Sequence, residues 1–475
     1  MKRRNLLLLL VIILIILLML FFRYCHSGGD PVSKPKTDSP YRAPEYRKDQ
    51  LVIYFKHQPN AAELHRIRKN MSDYGIDTTK IKVQRCTNCT GMQIELWNAP
   101  NIETYVHSEN VKGGSSTGSG TNGVGEDASG YYTPNYIIST PPEEYPRIPY
   151  DSLTRKRVIR IPSKPGSDTV KVAILDTGID DLLLANQQFF WKNTAEIANN
   201  ADDDHDCLVD DIYGWNFADN NNHIRDDSRD GHGTHIALFI INEFQRDSAN
   251  ALQLMILKTH NSKSEGDLFN ILCAISYAAD KGANIINASW GFYSGYSLVS
   301  PYRPIDSIIT EVLADKGILF VTAAGNRMAA PDDSAMKMGI TGTALRNLNL
   351  HHFYPACFGG KDNNIIVATT VNDATVSPTQ NFSDKYVDLG VLADLEENGY
   401  LKFKVPFTLG TPQYVSGSSY ATAIVTGRIA AVCPVSWYKG PLKKATFLKD
   451  TIGIQPFNKL IQNHQVNGGK YITHN

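Results

Sequence analysis

Asp176, His232 and Ser419 each stand where an apolar run meets a glycine-flanked turn, and together they carry the parts of nucleophilic acyl transfer. A serine hydroxyl is a poor nucleophile until a neutral imidazole takes its proton. The imidazole in turn needs a carboxylate on its other nitrogen to fix tautomer and orientation. Asn326, closing "VTAAGN", supplies a side-chain amide for the charge that develops on the carbonyl oxygen, alongside the backbone N–H of Ser419 at a helix start. A second histidine, His235, follows His232 in "DGHGTH". A zinc protease would need H-E-x-x-H, with a longer spacing and a glutamate, so His232 reads as the general base. His235 reads as a buried, hydrogen-bonded structural residue.

These side chains need elements that end in the right places. "VKVAILD", "LQLMILK", "ANIINASW", "GILFVTAAG" and "NIIVATTV" are short continuous apolar runs, the signature of parallel strands buried on both faces. Amphipathic stretches alternate with them, among them "DLFNILCAISYAADKG", where Asp267 is placed to cap a helix start and Gly282 to end it. Asp176 ends the first strand run, His232 opens "HGTHIALFIINEF", and Ser419 opens the helix in "GSSYATAIVTG". The alternation predicts an α/β fold: a doubly wound, mostly parallel sheet with helices on both faces and function at the strands' carboxyl ends.

With "VAILDTGID", "DGHGTH", "IINASWG", "AAGN" and "GSSYATAIVTG" in that order, the chain resembles the subtilisin-like serine proteases, the subtilases (peptidase family S8). "YPACFGGKDNNIIVATTVND" and "NGGKYI" extend the likeness from about Val170 to the C-terminus, and the order Asp, His, Ser is the subtilisin order. The resemblance implies a serine endopeptidase that needs no cofactor for catalysis. It also implies that Ser289, Trp290 and Gly291 pair with an extended peptide as an added strand, above a pocket for the side chain before the scissile bond. Leu238, Ala423 and "LGVLADL" from Leu389 depart from the family pattern without removing a catalytic group. "ADDDHDCLVDD" resembles a calcium loop inserted in some subtilases, with Asp202, Asp204, Asp206 and Asp210 as ligands of a structural calcium. Cys207 stands in the usual glycine position and no glutamate closes the loop, so a solvated acidic loop is the alternative reading.

The rest of the chain frames this catalytic region, placed at 166–475. Lys2, Arg3 and Arg4 precede an apolar run from Leu6 to Phe22, long enough to span about 26 Å as a helix. Residues 1–26 therefore read as a transmembrane anchor with its basic end cytoplasmic, the partner being the membrane; a cleaved signal peptide is the alternative. Either route places the catalytic region outside the cytoplasm. Residues 27–48 suit an extended stalk, and 49–112 read as strand, helix, strand, strand in a small α+β domain that is propeptide-like. Residues 113–165 read as a Gly/Ser- and Pro-rich linker. Forty-seven basic residues against 48 acidic ones leave no net field for nucleic acid. Seven cysteines do not make a disulfide scaffold, and Cys86 and Cys89 read as a local disulfide or two plain thiols. The expected function is hydrolysis of peptide bonds in peptide or protein substrates, in the narrower form a processing protease. The alternative from a different class is a catalytically silent peptide-binding protein on the same scaffold.

Overall fold

The computed structural model describes residues 44–108, 126–140, 168–184, 187–246, 249–294, 303–407, 411–456 and 464–474. The apolar run expected to anchor the chain lies outside them; among the described residues no helix is long and apolar enough to cross a membrane. The described residues fall within one unit, Pro40–Asn475.

"LVIYF" is apolar on both faces of strand β1 (Tyr46–Phe55), and both faces are used. Leu51, Ile53 and Phe55 pack with Ile67 and Met71 of helix α1 (Ala61–Asp73) in a core of their own. Asn60 and Glu63 start that helix with a reciprocal capping box. Strands β2 (Lys82–Arg85), β3 (Ile94–Asn98) and β4 (Gly130–Ser139) complete an antiparallel sheet ordered β2-β3-β1-β4. Its other face, with Val52, Ile94, Leu96, Tyr136 and Ile138, merges into a larger core that includes Ala173, Leu175, Leu268 and Ile271. In the chain β1, α1, β2 and β3 follow one another as strand, helix, strand, strand. Strand β4, however, falls inside the stretch read as linker, where Pro134 and the surrounding tyrosines mask a strand whose partner strands lie far away in sequence.

Each of the five apolar runs becomes a strand of a second, nine-stranded sheet. They are β5 (Thr169–Asp176), β7 (Ala251–Lys258), β9 (Ile285–Ala288), β11 (Leu319–Ala323) and β13 (Ile365–Val371), with β6 (Gly214–Asn216) before β7 in the chain. With β14 (Leu389–Leu392), β15 (Gln455–Pro456) and β16 (Lys470–Ile472) the order is β15-β16-β14-β13-β11-β9-β5-β7-β6. All neighbours are parallel except β15 against β16. Residue alternation along β5 divides the core in two. Val170, Val172 and Ile174 face Ile236, Phe239 and Ile240 of helix α2 (His232–Arg246), while Ala173 and Leu175 face Leu268, Ile271 and Ile275 of helix α3 (Leu268–Asp280). Asp267 caps α3 through the Asn270 N–H, and Gly282 follows its end at φ 74°. Helix α4 (Ser418–Val432) lies with α2 on the first face, almost wholly buried.

Three short strands lie outside these ladders. β8 (Glu265–Asp267) extends the first sheet beside β4, and β10 (Phe292–Tyr293) pairs with β12 (Phe353–Tyr354). Cys86 and Cys89 form no local disulfide. Cys86 is bonded to Cys273 in α3 and Cys89 to Cys207 in the acidic loop, across sequence separations of 187 and 118 residues that no local spacing reveals.

Candidate active site

Asp176 sits at the last position of β5, where the strand hands its carboxylate to a loop. The loop is tied down at once: Oδ1 accepts from Thr177 N–H at 2.8 Å, and Thr177 Oγ1 accepts from Gly233 N–H at 2.8 Å. A Cβ on Gly233 would lie 2.5 Å from the Gly178 carbonyl oxygen, so only glycine lets the start of α2 come this close to the end of β5. Asp226 caps the same helix start, accepting from Thr234 N–H at 3.0 Å and Thr234 Oγ1 at 2.8 Å. As a result His232 Nδ1 stands 2.8 Å from Asp176 Oδ1, with both side chains 1% exposed. A carboxylate only accepts, so Nδ1 carries the proton and Nε2 is left as the basic nitrogen.

Ser419 is the second residue of α4, and the ring of its neighbour Tyr420 lies 5.9 Å from the His232 ring. Ser419 Oγ donates to the Ser289 carbonyl at 3.3 Å. Ser419 N–H has no protein acceptor among the described residues, one of the free donors at a helix N-terminus. Gly417, at φ 152°, turns the chain into the helix, and a Cβ there would press to 3.2 Å of Asn326 Nδ2.

Asn326 is fixed by its oxygen. Oδ1 accepts from Ser418 N–H at 3.0 Å and Ser418 Oγ at 2.9 Å, which leaves Nδ2 without a protein partner among the described residues and beside Gly417. Its backbone carbonyl accepts from Tyr293 Oη at 3.0 Å. Tyr293 is held in turn by Asn381 and by the buried Arg346, which forks onto Asp332 at 2.8 and 2.9 Å. No motif singles out Ser418, Tyr293 or Arg346 in the sequence; only the doubled serine of "GSS" hints that Ser418 has a role of its own.

His235 is buried as expected but not hydrogen-bonded: neither ring nitrogen has a partner among the described residues. Burial, reinforced by His232, pushes its pKa down to about 4, so it stays neutral. His260 behaves alike at about 3.

The segment expected to hold substrate is already paired. Gly291 N–H donates to the Ser139 carbonyl at 3.3 Å in an antiparallel bridge, while Ser139 also pairs with Glu265 of β8. The end of β4 thus lies between β8 and the Ser289–Gly291 edge as an inserted strand. Trp290 contributes backbone only, its indole buried against Phe320.

The acidic loop divides into two groups of oxygens, each within 4.8 Å: Glu196, Asp202 and Asp204, and Asp204, Asp206 and Asp211. Asp210 belongs to neither and accepts from the Asn199 and Asn200 N–H groups. The second group is filled by an internal cation. Lys281 Nζ lies 2.5 Å from Asp204, 3.0 Å from Asp206 and 3.8 Å from Asp211. That group does not fit a calcium ion, because the charge the ion would supply is already there. Burial still raises the Asp206 carboxyl to about 6. For Asp204 the hydrogen bonds from Lys281 and Asn193 overcome burial and lower it.

The family model described as "Subtilase family" (Peptidase_S8) matches residues 167–452. The chain belongs to the subtilase family. Among curated subtilases it is 28% identical to Subtilisin-like protease 1 of Plasmodium berghei (strain Anka) over 232 residues, 46% of this chain and 36% of that one. It is 25% identical to Subtilisin-like protease 1 of Plasmodium falciparum (isolate 3D7) over 310 residues, 61% and 41% of the two chains. The match thus spans well under half the length of these relatives. Among solved structures, fervidolysin from Fervidobacterium pennivorans aligns over 94% of this subtilase and 64% of its own chain, with a TM-score of 0.49 at 16% identity.

Proposed function

We propose that this subtilase is a serine endopeptidase whose triad is Asp176, His232 and Ser419, with Asn326 and the Ser419 N–H receiving the oxyanion. The observation that carries the reading is the buried Asp176–His232 pair at 2.8 Å beside a serine on a helix N-terminus, with an amide fixed so that its nitrogen is free. On substrate binding the Ser419 hydroxyl leaves the Ser289 carbonyl for His232 Nε2, which takes its proton as Oγ adds to the peptide carbonyl. The new oxyanion meets Asn326 Nδ2 and Ser419 N–H; His232 then protonates the leaving amine, and water repeats the sequence on the acyl-enzyme. No step needs a cofactor.

The region from 49 to 139 acts as a propeptide-like unit whose last strand holds the substrate edge in a latent form. The Ser139–Gly291 pairing supports this, since it uses the backbone groups an extended substrate would use. Two disulfides suit an oxidising compartment, in keeping with export of the catalytic region. Tethering through the apolar run Leu6–Phe22 and a role in processing other secreted proteins complete the proposal. A structural calcium would be held by Glu196, Asp202 and Asp204, the group in which Lys281 reaches Asp204 alone.

Labelling with a fluorophosphonate, read by mass spectrometry, is expected at Ser419 and absent in Ser419→Ala. An unlabelled, folded wild-type protein would favour the silent peptide-binding reading instead. Fractionation with and without alkaline carbonate tests the anchor: extraction of the intact chain by carbonate alone would refute it.

A further inference from the structure

We infer that Phe353 fills the pocket for the residue before the scissile bond, so that this protein cleaves after small side chains such as glycine, alanine and serine. The inference rests on the peptidase reading and deepens it by naming a substrate class.

The pocket's place follows from the sheet. β9 and β11 are neighbours, paired through Thr322 and Ala288, and beyond that pair their continuations, Ser289–Gly291 and Ala324–Asn326, run out past the sheet. Ser419 Oγ rests against the first at the Ser289 carbonyl, and Asn326 ends the second. A peptide lying along the first segment, with its carbonyl carbon at Ser419 Oγ and its oxygen at Asn326 Nδ2, has one direction left for the side chain of that residue: down between the two segments.

That space is occupied. The Phe353 ring lies against both walls. A Cβ on Gly291 would collide with Cε1 and Cζ of the ring, and one on Gly325 would lie 2.8 and 2.9 Å from Cδ1 and Cε1. The two facing glycines are thus already lined by the phenyl group, and the side chain is 3% exposed.

Nor is the ring free to swing aside. Phe353 in β12 is paired with Tyr293 in β10, and the two rings meet edge to face at 5.0 Å. The Tyr293 hydroxyl is bonded to the Asn326 carbonyl, Asn381 and Arg346, so the ring that braces Phe353 belongs to the same network that fixes the oxyanion amide. A benzyl or isobutyl substituent would have to expel a braced aromatic ring, whereas a methyl or hydroxymethyl group needs little of the space.

The test uses two diphenyl aminoalkylphosphonates, one with a methyl and one with a benzyl side chain. These small probes phosphonylate active-site serines, the serine oxygen bonding to phosphorus as phenol leaves, without needing the strand edge that Ser139 occupies. Rates of labelling at Ser419 are measured on the full chain by mass spectrometry, with Ser419→Ala as control. The methyl probe is expected to react at least ~100-fold faster than the benzyl probe, the scale on which pocket size discriminates. Phe353→Gly is expected to reverse that preference. Comparable rates for the two probes on the wild-type protein would overturn the inference whether or not the variant folds, and so would an unchanged ratio in a variant shown by fluorophosphonate labelling to be intact. Failure of both phosphonates and of the fluorophosphonate on the wild-type protein would instead strike the peptidase reading, and this inference with it.

Discussion

Replacing Lys281 by methionine keeps most of the stem's volume and removes the ammonium from between three carboxylates. The side chains of Asp206 and Asp211 are 4% and 0% exposed, so water cannot take over the role of the lost charge. Breaking a buried ion pair from one side typically costs about 3–5 kcal/mol. For a cooperative unit of about 300 residues that corresponds to a fall in Tm of roughly 5 to 8 °C. The loss should depend on pH in a defined direction. Asp206 already titrates at about 6 with Lys281 beside it, and without the lysine it and its neighbours bind protons more readily still. Protonation relieves their repulsion, so the gap between variant and wild type should be widest near pH 8 and narrow toward pH 5. Thermal denaturation of both proteins at the two pH values is the assay. An unchanged Tm at pH 8, or a deficit of equal size at pH 5, would refute the view that Lys281 is the structural cation of this loop.

Asp176→Asn keeps the shape of the site but reverses the tautomer of His232, and kcat on a peptide substrate should fall about 10⁴-fold with KM little changed. Ser418→Ala removes one of the two donors that orient Asn326 and leaves the Gly325 N–H without its acceptor. A loss of about 1 kcal/mol in the transition state, or ~5-fold in kcat, is expected, with rescue by Ser418→Thr. Three buried histidines, His235 at about 4, His260 at about 3 and His351 at about 4, titrate below the unfolded value of about 6.5. Between these values the unfolded chain binds the extra protons, so stability is fully present above pH 6.5 and is lost as pH falls toward 4. Asp206 and Asp388, both raised to about 6 by burial, and Asp211 and Asp306, raised by burial as well, act in the opposite sense, while His352, lowered by burial, acts with the three histidines, whose depressions are the larger. Chemical denaturation between pH 4 and 8 should therefore show a midpoint that declines below pH 6.5; a midpoint rising toward pH 5 would contradict this.

Whatever depended on local order could be read in the sequence. The strands β5, β7, β9, β11 and β13 announce themselves because parallel strands buried on both faces must be apolar throughout. The positions of Asp176, His232 and Ser419 at element ends follow from the same runs, their glycines and the capping residues. Partners brought in from afar left no such mark. Lys281 looks like an ordinary helix-terminal lysine, since Asp204 is 77 residues away, and the cysteine pairs give no hint in their spacing. β4 alternates poorly and contains a proline, so it becomes a strand only because β1 and β8 offer it edges on both sides. Phe353 reads as one more apolar residue before "YPACF", and only the approach of Gly291 and Gly325 reveals what its ring displaces.

The two disulfides set a rule for what a cut can do. Cys86 and Cys89 both find their partners beyond residue 206, at Cys273 and Cys207. Scission of any one peptide bond between residues 90 and 206, the whole Gly/Ser segment included, therefore yields two polypeptides that still travel as one molecule. They would migrate apart on a gel only after a thiol had been added, so the escape of the N-terminal piece is governed by electrons as well as by proteolysis.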